Sequence, residues 1–528
     1  MTSVLVTEEI AAAGVDLLRG EFQVDVELNP PPAELAERIG AYDALIVRSA
    51  TSVSAGLLER AGRLKVIGRA GTGVDNVDVA AATRRGIIVA NAPGSNMVAA
   101  AEHTLGLLLA IARNIPQAHA ALVEGRWERK RFGGVELADK VLGVVGFGRI
   151  GQLVAARAKA FGMRVCVSDP FVSADRCREL GVTSATLENL LLQADFVTLH
   201  APLTPETRHL INAERIALMK RGARIVNAAR GGLVDIDALA DALRSGHVAG
   251  AALDVFPSEP YTSGAILELP NVVVTPHLGA STQEAQDRAG LIVAEQVAAA
   301  LRGTIVTNAV NIPQVRPEDL ELLGPYMPVA TQLGRLAVGL NQGGVDGIDV
   351  TYDGGLAEHD TRLLTSAVII GALAAHSDEP VNLVNARAVA EARGITVTEG
   401  RSGTPADYTT LIRVSTGERQ TVSGTTIGRE NRPWLVEVEG YQLEIELAGH
   451  MVVMLNDDRP GIIGRVGTAF GEDGVNIANM RVSRNYHGDQ AMMVLALDVT
   501  PEPSVIEHLC ALDGVHQVRS VDLDSVGI

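Results

Sequence analysis

Aromatic side chains are scarce: two Trp, seven Tyr and eight Phe make up 3% of 528 residues. Hydrophobic residues still reach 47%, so the core has to be built from Ala, Val, Leu and Gly, as in a globular α/β protein. Cysteine is scarcer. Cys166, Cys177 and Cys510 have neither zinc-site nor disulfide-framework spacing, so a reduced, cytosolic protein without a metal is expected. No uninterrupted apolar run reaches the roughly 18 residues of a membrane span. The start, MTSVLVTEEI, lacks the basic and apolar regions of a secretory signal. Positive charge is in deficit as well, with 45 Lys and Arg against 63 Asp and Glu, a net of −18. Long-range repulsion then opposes both nucleic acid and anionic membranes, and neither is an expected partner. A small anionic substrate would need a local cluster of arginines.

The chain is too long for one core, and roughly three or four domains are expected. Short β-branched runs at 3–7, 22–28, 44–47, 64–68 and 87–91 alternate with helical stretches at 33–39, 55–61 and 77–85. An apolar helix at about 98–112 leads to a second alternating block, with strands at 141–145, 164–168, 196–199, 224–227, 250–254 and 272–275. Such alternation predicts two doubly wound parallel-sheet units. The first would span 1–97, completed by 283–310 through the long helix at 282–302, and the second 98–282. The acidic, proline-bearing stretch 311–320 reads as a linker. Residues 317–450 mix helices at about 329–340 and 361–375 with strands such as 410–414 and 434–438, an α+β block. From 451 to 528 the order strand, helix, two strands, helix, strand is a ferredoxin-like βαββαβ module.

The run VLGVVGFGRIG, Val141 to Gly151, is a strand entering GxGxxG and then a helix. Such a loop lets backbone approach a pyrophosphate at the positive end of a helix. Gly146, Gly148 and Gly151 are the three glycines. Asp169, 18 residues after Gly151, ends the next strand at the spacing of a carboxylate that holds ribose hydroxyls. Pro170 and Phe171 follow it, with no cation for a 2′-phosphate, which favours NAD over NADP. Three more residues each follow a strand: Arg230 in NAARGGLVD, Glu259 in DVFPSEP and His277 in TPHLGAST. An imidazole can take a hydroxyl proton as hydride leaves carbon, and a carboxylate partner orients that imidazole. A guanidinium can bind a carboxylate as a fork and polarise the adjacent oxygen.

Together these motifs resemble the D-2-hydroxyacid dehydrogenase family over about residues 1–310. The resemblance implies that Arg230, Glu259 and His277 are the catalytic group. It also implies that Asp254 meets the nicotinamide carboxamide, and that Arg149, Ile150 and Ala228–Arg230 line the NAD site, Ala229 included. Thr72, His277, Leu278, Gly279 and Ala280 complete the expected cofactor contacts. GRAGTGVDNVD and NAPGSNMVAAAEHTLGL resemble one branch of that family, the D-3-phosphoglycerate dehydrogenases, which implies a substrate pocket of Arg48, Gly71 to Gly73, Asn96 and Arg230. Arg126, Arg129, Lys130 and Arg131 around Trp127 read equally as a solvated face or as charge for a phosphate across a subunit interface. NDDRPGIIG and GVNIA resemble an ACT module, and 317–450 the intervening domain of the longer enzymes. That likeness implies L-serine as effector at Asn456, Asp458 and Asn476, between subunits of a homo-oligomer, with a tetramer favoured. Two rivals remain open: another 2-hydroxyacid such as 2-hydroxyglutarate, and a dinucleotide- and amino-acid-binding sensor without turnover.

Overall fold

In a computed structural model, the chain is described over residues 2–313, 317–341, 344–374, 377, 381–403, 408–417, 420–447, 449–484 and 488–523. Four sheets organise it. The first contains β1 (Ser3–Val6), β2 (Gln23–Val26), β3 (Ala44–Val47), β4 (Val66–Arg69) and β5 (Ile88–Asn91), all parallel in the order β2-β1-β3-β4-β5. The second contains β6 (Val141–Val145), β7 (Arg164–Ser168), β8 (Thr183–Ser184), β9 (Phe196–Leu199), β10 (Ala223–Asn227), β11 (Val248–Leu253) and β12 (Val272–Val274). Its order is β12-β11-β10-β9-β6-β7-β8, again parallel throughout, with the reversal beside β6 that marks a dinucleotide fold. Their central strands are near-continuous apolar runs covered on two faces, as parallel sheets require, while the edge strands β2 and β8 are polar and more exposed.

The chain crosses between these units twice. The helix Met97–Arg113 leaves the first sheet and packs on the second, while the helix Gln283–Leu301 returns and covers one face of the first. The return helix seats closely because β4 carries Gly68 beneath it. A Cβ there would stand 2.5 Å from Val293 and 2.7 Å from Val297. Val293 and Val297 are fully buried, each worth roughly 1.5–3 kcal/mol relative to exposure. Segment 308–311 then ties back to β5: Ala309 bridges Ala90, and the Asn311 side chain bonds Val89, Ile87 and Thr83.

That tie corrects the expected linker at 311–320. Its first residue is anchored to the first sheet, and its described end belongs to the helix Pro317–Leu323, where buried Asp319 accepts from His359 at 2.8 Å. Residues 314–316 lie outside the described residues. The third sheet holds β13 (Gly347–Gly354), β14 (Thr396–Ser402), β15 (Thr410–Ser415), β16 (Thr421–Ile427), β17 (Arg432–Val438) and β18 (Tyr441–Glu446) in the order β14-β13-β15-β16-β17-β18. Only its β13–β14 pair is parallel. The helices Met327–Leu340 and Arg362–Ala374 pack against it, close to the expected spans; residue 375 lies outside the described residues. The fourth sheet, antiparallel, contains β19 (His450–Asp457), β20 (Ile477–Arg484), β21 (Gln490–Leu497) and β22 (Val515–Asp522) in the order β20-β21-β19-β22. The expected βαββαβ order is present, but this module shares one core with the third sheet. Met451, Val453, Met492, Val494 and Val521 pack with the helix Met327–Leu340.

Candidate active site

The carboxyl ends of both parallel sheets face one cleft. From the second sheet, the turn after β6 shows why each glycine is there. Gly146 sits at φ +89°, and a Cβ would lie 2.7 Å from the His200 backbone. Gly148 faces open space, the opening a pyrophosphate needs, and a Cβ on Gly151 would collide with the Gly146 carbonyl. The helix Arg149–Ala160 starts immediately after Gly148. Asp169, at the end of β7, accepts Phe147 N–H at 2.6 Å and Phe171 N–H at 2.8 Å. Those two bonds hold the glycine loop and leave further lone pairs on the carboxylate. These residues fit a dinucleotide. Arg149 reaches across to the first unit, 3.4 Å from where a Cβ on Gly94 would stand, and Ile150 is half-buried.

His277 and Glu259 meet at 2.6 Å, Nδ1 to Oε2. The hydrogen bond to Glu259 raises the His277 pKa against burial, and nearby Arg230 pulls it down. Burial pushes the Glu259 carboxyl up, but bonds from His277 and the Phe256 N–H outweigh it and the net shift is downward. With Nδ1 committed to Glu259, Nε2 is left for a substrate proton. His200 shows the contrast, since burial without a carboxylate pushes it down to about 4 and keeps it neutral.

The turn carrying His277 (φ +57°) is fastened by Asp254, which is fully buried. Its oxygens accept Thr275 Oγ1 at 2.5 Å, Leu278 N–H at 2.7 Å and Gly279 N–H at 2.8 Å, and meet His103 Nε2 at 3.1 Å. Four contacts occupy the lone pairs of one carboxylate, so a carboxamide contact would have to displace one of them. What Asp254 holds in this structure is the turn. Gly279 is buried beside it near the Ala228 carbonyl, and Ala280 is half-buried. Asn227 Oδ1 accepts Ala229 N–H at 3.1 Å and its Nδ2 donates to the Arg230 carbonyl at 3.0 Å, fixing the turn that presents Arg230.

Arg230 spans the cleft. Its Nε lies 3.2 Å from Asp75 of the first unit, and a Cβ on Gly73 would collide with its Nη2. Around it stand Arg48, with Nη1 donating to the Glu9 carbonyl at 3.1 Å, and Arg69 at the end of β4. Burial and then the charge of Arg230 lower the Arg69 pKa, and its buried Nε has no hydrogen-bond partner. A Cβ on Gly71 would collide with Arg69. Glu8 shapes this wall by accepting N–H groups of Arg48, Ser49, Ala50 and Thr51. Burial alone would raise its pKa; those bonds lower it. Thr72 Oγ1 donates to Asn96 Oδ1 at 2.9 Å.

The structure therefore brings together Arg48, Gly71, Thr72, Gly73, Asn96, Arg230, Glu259 and His277, and adds Arg69 and Asp75, which sequence reasoning does not single out. Arg69 ends an apolar strand, the same signal that marks Arg230. The cluster at 126–131 pairs locally, Arg126 with Glu124 at 2.6 Å and Arg131 with Glu128 at 3.1 Å, and Trp127 is 77% exposed. The three expected effector residues do not meet within one chain. Asn456 and Asp458 lie at the end of β19, level with Ala491 and Arg484, whereas Asn476 precedes β20, beside Asp498 at the opposite end of β21.

Comparison with known proteins agrees with this architecture. Residues 105–279 match the D-isomer specific 2-hydroxyacid dehydrogenase NAD binding domain, 322–439 the D-3-phosphoglycerate dehydrogenase intervening domain, and 450–514 the ACT domain. A D-3-phosphoglycerate dehydrogenase of Methanocaldococcus jannaschii is 44% identical over 526 residues, 99% of this chain and all of that one. One of Bacillus subtilis is 40% identical over 527 residues, again 99% of this chain and all of the relative. The crystal structure of the TT0316 protein from Thermus thermophilus superposes with a TM-score of 0.55 at 42% identity, over 58% of this chain and all of that one. With its NAD-binding sheet, the paired His277 and Glu259 and full-length likeness to these relatives, the chain is an NAD-dependent oxidoreductase that belongs to the D-3-phosphoglycerate dehydrogenase family.

Proposed function

We propose that the chain oxidises D-3-phosphoglycerate at C2 to 3-phosphohydroxypyruvate, the entry to L-serine synthesis, acting in the cytoplasm. The observation that carries this reading is the convergence of Arg48, Arg69 and Arg230 opposite His277, with Glu8 and Asp75 as the carboxylates beside Arg69. Bound NAD supplies the hydride acceptor. His277 Nε2 takes the hydroxyl proton, Glu259 stabilises the resulting imidazolium, and Arg230 grips the carboxylate and C2 oxygen once it leaves Asp75. Arg48 and the orphaned Arg69 then suit the phosphate. The test is a steady-state NADH absorbance screen of D-3-phosphoglycerate, D-2-hydroxyglutarate and D-lactate. Turnover of either of the others with none of the phosphorylated substrate would overturn the assignment, and no turnover at all would favour the sensor.

Feedback by L-serine belongs to the same reading, with the effector held by Asn456 and Asp458 of one copy and Asn476 of another. Asn456 is 2% exposed and its Oδ1 lacks a hydrogen-bond partner, while Asp458 pairs with Arg484 at 2.8 Å. Because the three residues stand at opposite ends of one module, a shared site calls for a homo-oligomer, and we favour a tetramer. Asp458→Ala is expected to abolish serine inhibition while leaving uninhibited turnover intact; inhibition persisting in that variant would place the effector elsewhere.

A further inference from the structure

A large cavity lies away from the catalytic cleft, at the amino-terminal edge of the first sheet. It encloses about 910 Å³ between that edge and the third-sheet block. Asp43, Lys65 and Gly86 of its lining stand just before β3, β4 and β5, whereas the substrate-facing loops leave the other ends of those strands. Ile312, Leu320, Leu363, Ile370 and Leu383 make one wall apolar. The floor is the seam between the two blocks, where Asn382 Nδ2 donates to the Gly86 carbonyl at 2.9 Å.

The charge of this lining runs against the rest of the chain. Arg63, Lys65, Arg84 and Arg85 face a single carboxylate, Asp43, in a protein of net charge −18. Asp43 is already engaged, by Arg63 at 2.9 Å, Lys65 at 3.9 Å and the Ser3 N–H at 3.0 Å. Arg84 and Arg85 have no carboxylate partner among the described residues. A basic residue in the last turn of a helix complements the helix dipole, which accounts for Arg84 at the end of Val79–Arg84. It does not account for four cations converging from two stretches of chain onto one cavity.

We propose that this cavity binds an amphipathic organic anion, with its apolar body on the wall formed by Leu363, Ile370 and Leu383 and its anionic group on Arg84 and Arg85. The volume is that of a site for a metabolite-sized ligand. A bare inorganic anion would leave the apolar wall uncovered, and a neutral apolar molecule would leave the two guanidinium groups unused. A ligand seated there touches both sides of the seam. It alters turnover to the extent that it prefers one setting of the third-sheet block against the first sheet over another.

The test uses the full chain saturated with NAD, so that the dinucleotide site is filled. The probe is 8-anilinonaphthalene-1-sulfonate, with neutral N-phenyl-1-naphthylamine as its uncharged counterpart. Saturable binding of the sulfonate is expected, with amide-exchange protection at residues 63–65 and 381–385. In the double variant Arg84→Glu/Arg85→Glu the sulfonate should bind about tenfold or more weakly, with the neutral dye and NADH-forming activity unchanged. Inorganic phosphate is expected to compete poorly. The proposal fails if the sulfonate does not bind the NAD-saturated protein, if the double variant binds it as well as the parent, or if protection appears only elsewhere.

Discussion

The two walls of the cleft are built to different standards. On the second-sheet wall every group near the chemistry has its partner before any substrate arrives: Asp254 carries four contacts and Glu259 holds His277. On the first-sheet wall Arg69 is half-buried with an orphaned Nε, and Asp75 is an exposed carboxylate that engages Arg230 from the second sheet. One wall is preorganised for proton transfer; the other is left electrostatically incomplete until an anion enters. Completeness where the transition state forms raises kcat, while incompleteness where the substrate's charge lands turns binding into a requirement for an anion.

The sharpest way to break that contrast is His277→Ala. It should lower kcat by roughly 10²–10⁴, the range for a lost general base, with NAD affinity by titration nearly unaltered. A near-parental kcat would remove the second-sheet wall from the chemistry. Arg69→Met probes the other wall. It should raise KM for D-3-phosphoglycerate by about 10- to 100-fold, as for a lost bond between charged partners. KM for a non-phosphorylated D-2-hydroxyacid should barely move, and the melting temperature should hold or rise because a half-buried guanidinium with an unsatisfied Nε is gone. Equal losses on both substrates would deny Arg69 the phosphate. The subtlest test is Glu259→Gln. The Glu259 carboxylate raises the His277 pKa, so neutral base accumulates only above that raised value, and kcat/KM for oxidation climbs with pH through it. Removing the charge should move that climb to lower pH. A pH profile that does not shift would mean that Glu259 does not govern the imidazole.

The same contrast marks what the sequence can tell. The second wall is legible because its residues follow apolar strands in contiguous motifs, each carrying its own turn chemistry, such as GFGRIG and TPHLGAST. The first wall is only half legible. Asn96 stands in such a motif and Arg48 directly follows an apolar strand; Arg69 and Asp75 lie within GRAGTGVDNVD, but their roles depend on Arg230 arriving from the other sheet, a pairing that no local pattern encodes. The short helix Ala12–Arg19 is hidden for a local reason: it contains a glycine, and its N-cap, Ala11, makes no side-chain capping bond. The helix Pro317–Leu323 reads as linker because what stabilises it, His359 on buried Asp319, comes from forty residues away. The boundary expected at 450 hides a shared core, since apolar alternation shows that a strand face is buried and not against what.

The return of the helix Gln283–Leu301 to the first sheet also fixes an order of events during synthesis. Val4, Val6, Ile46 and Val66 are buried beneath Val293, Ala294 and Val297. Strands β1 to β5 therefore emerge from the ribosome about 190 residues before the helix that covers them, a wait of roughly 10–40 s at ordinary elongation rates. Through that interval the first unit exposes one apolar face of a parallel sheet, while everything needed for the second sheet is made before the cover arrives. Of the two units that line the cleft, the one translated first is thus completed second, and a nascent chain halted before residue 283 would be a client for chaperones.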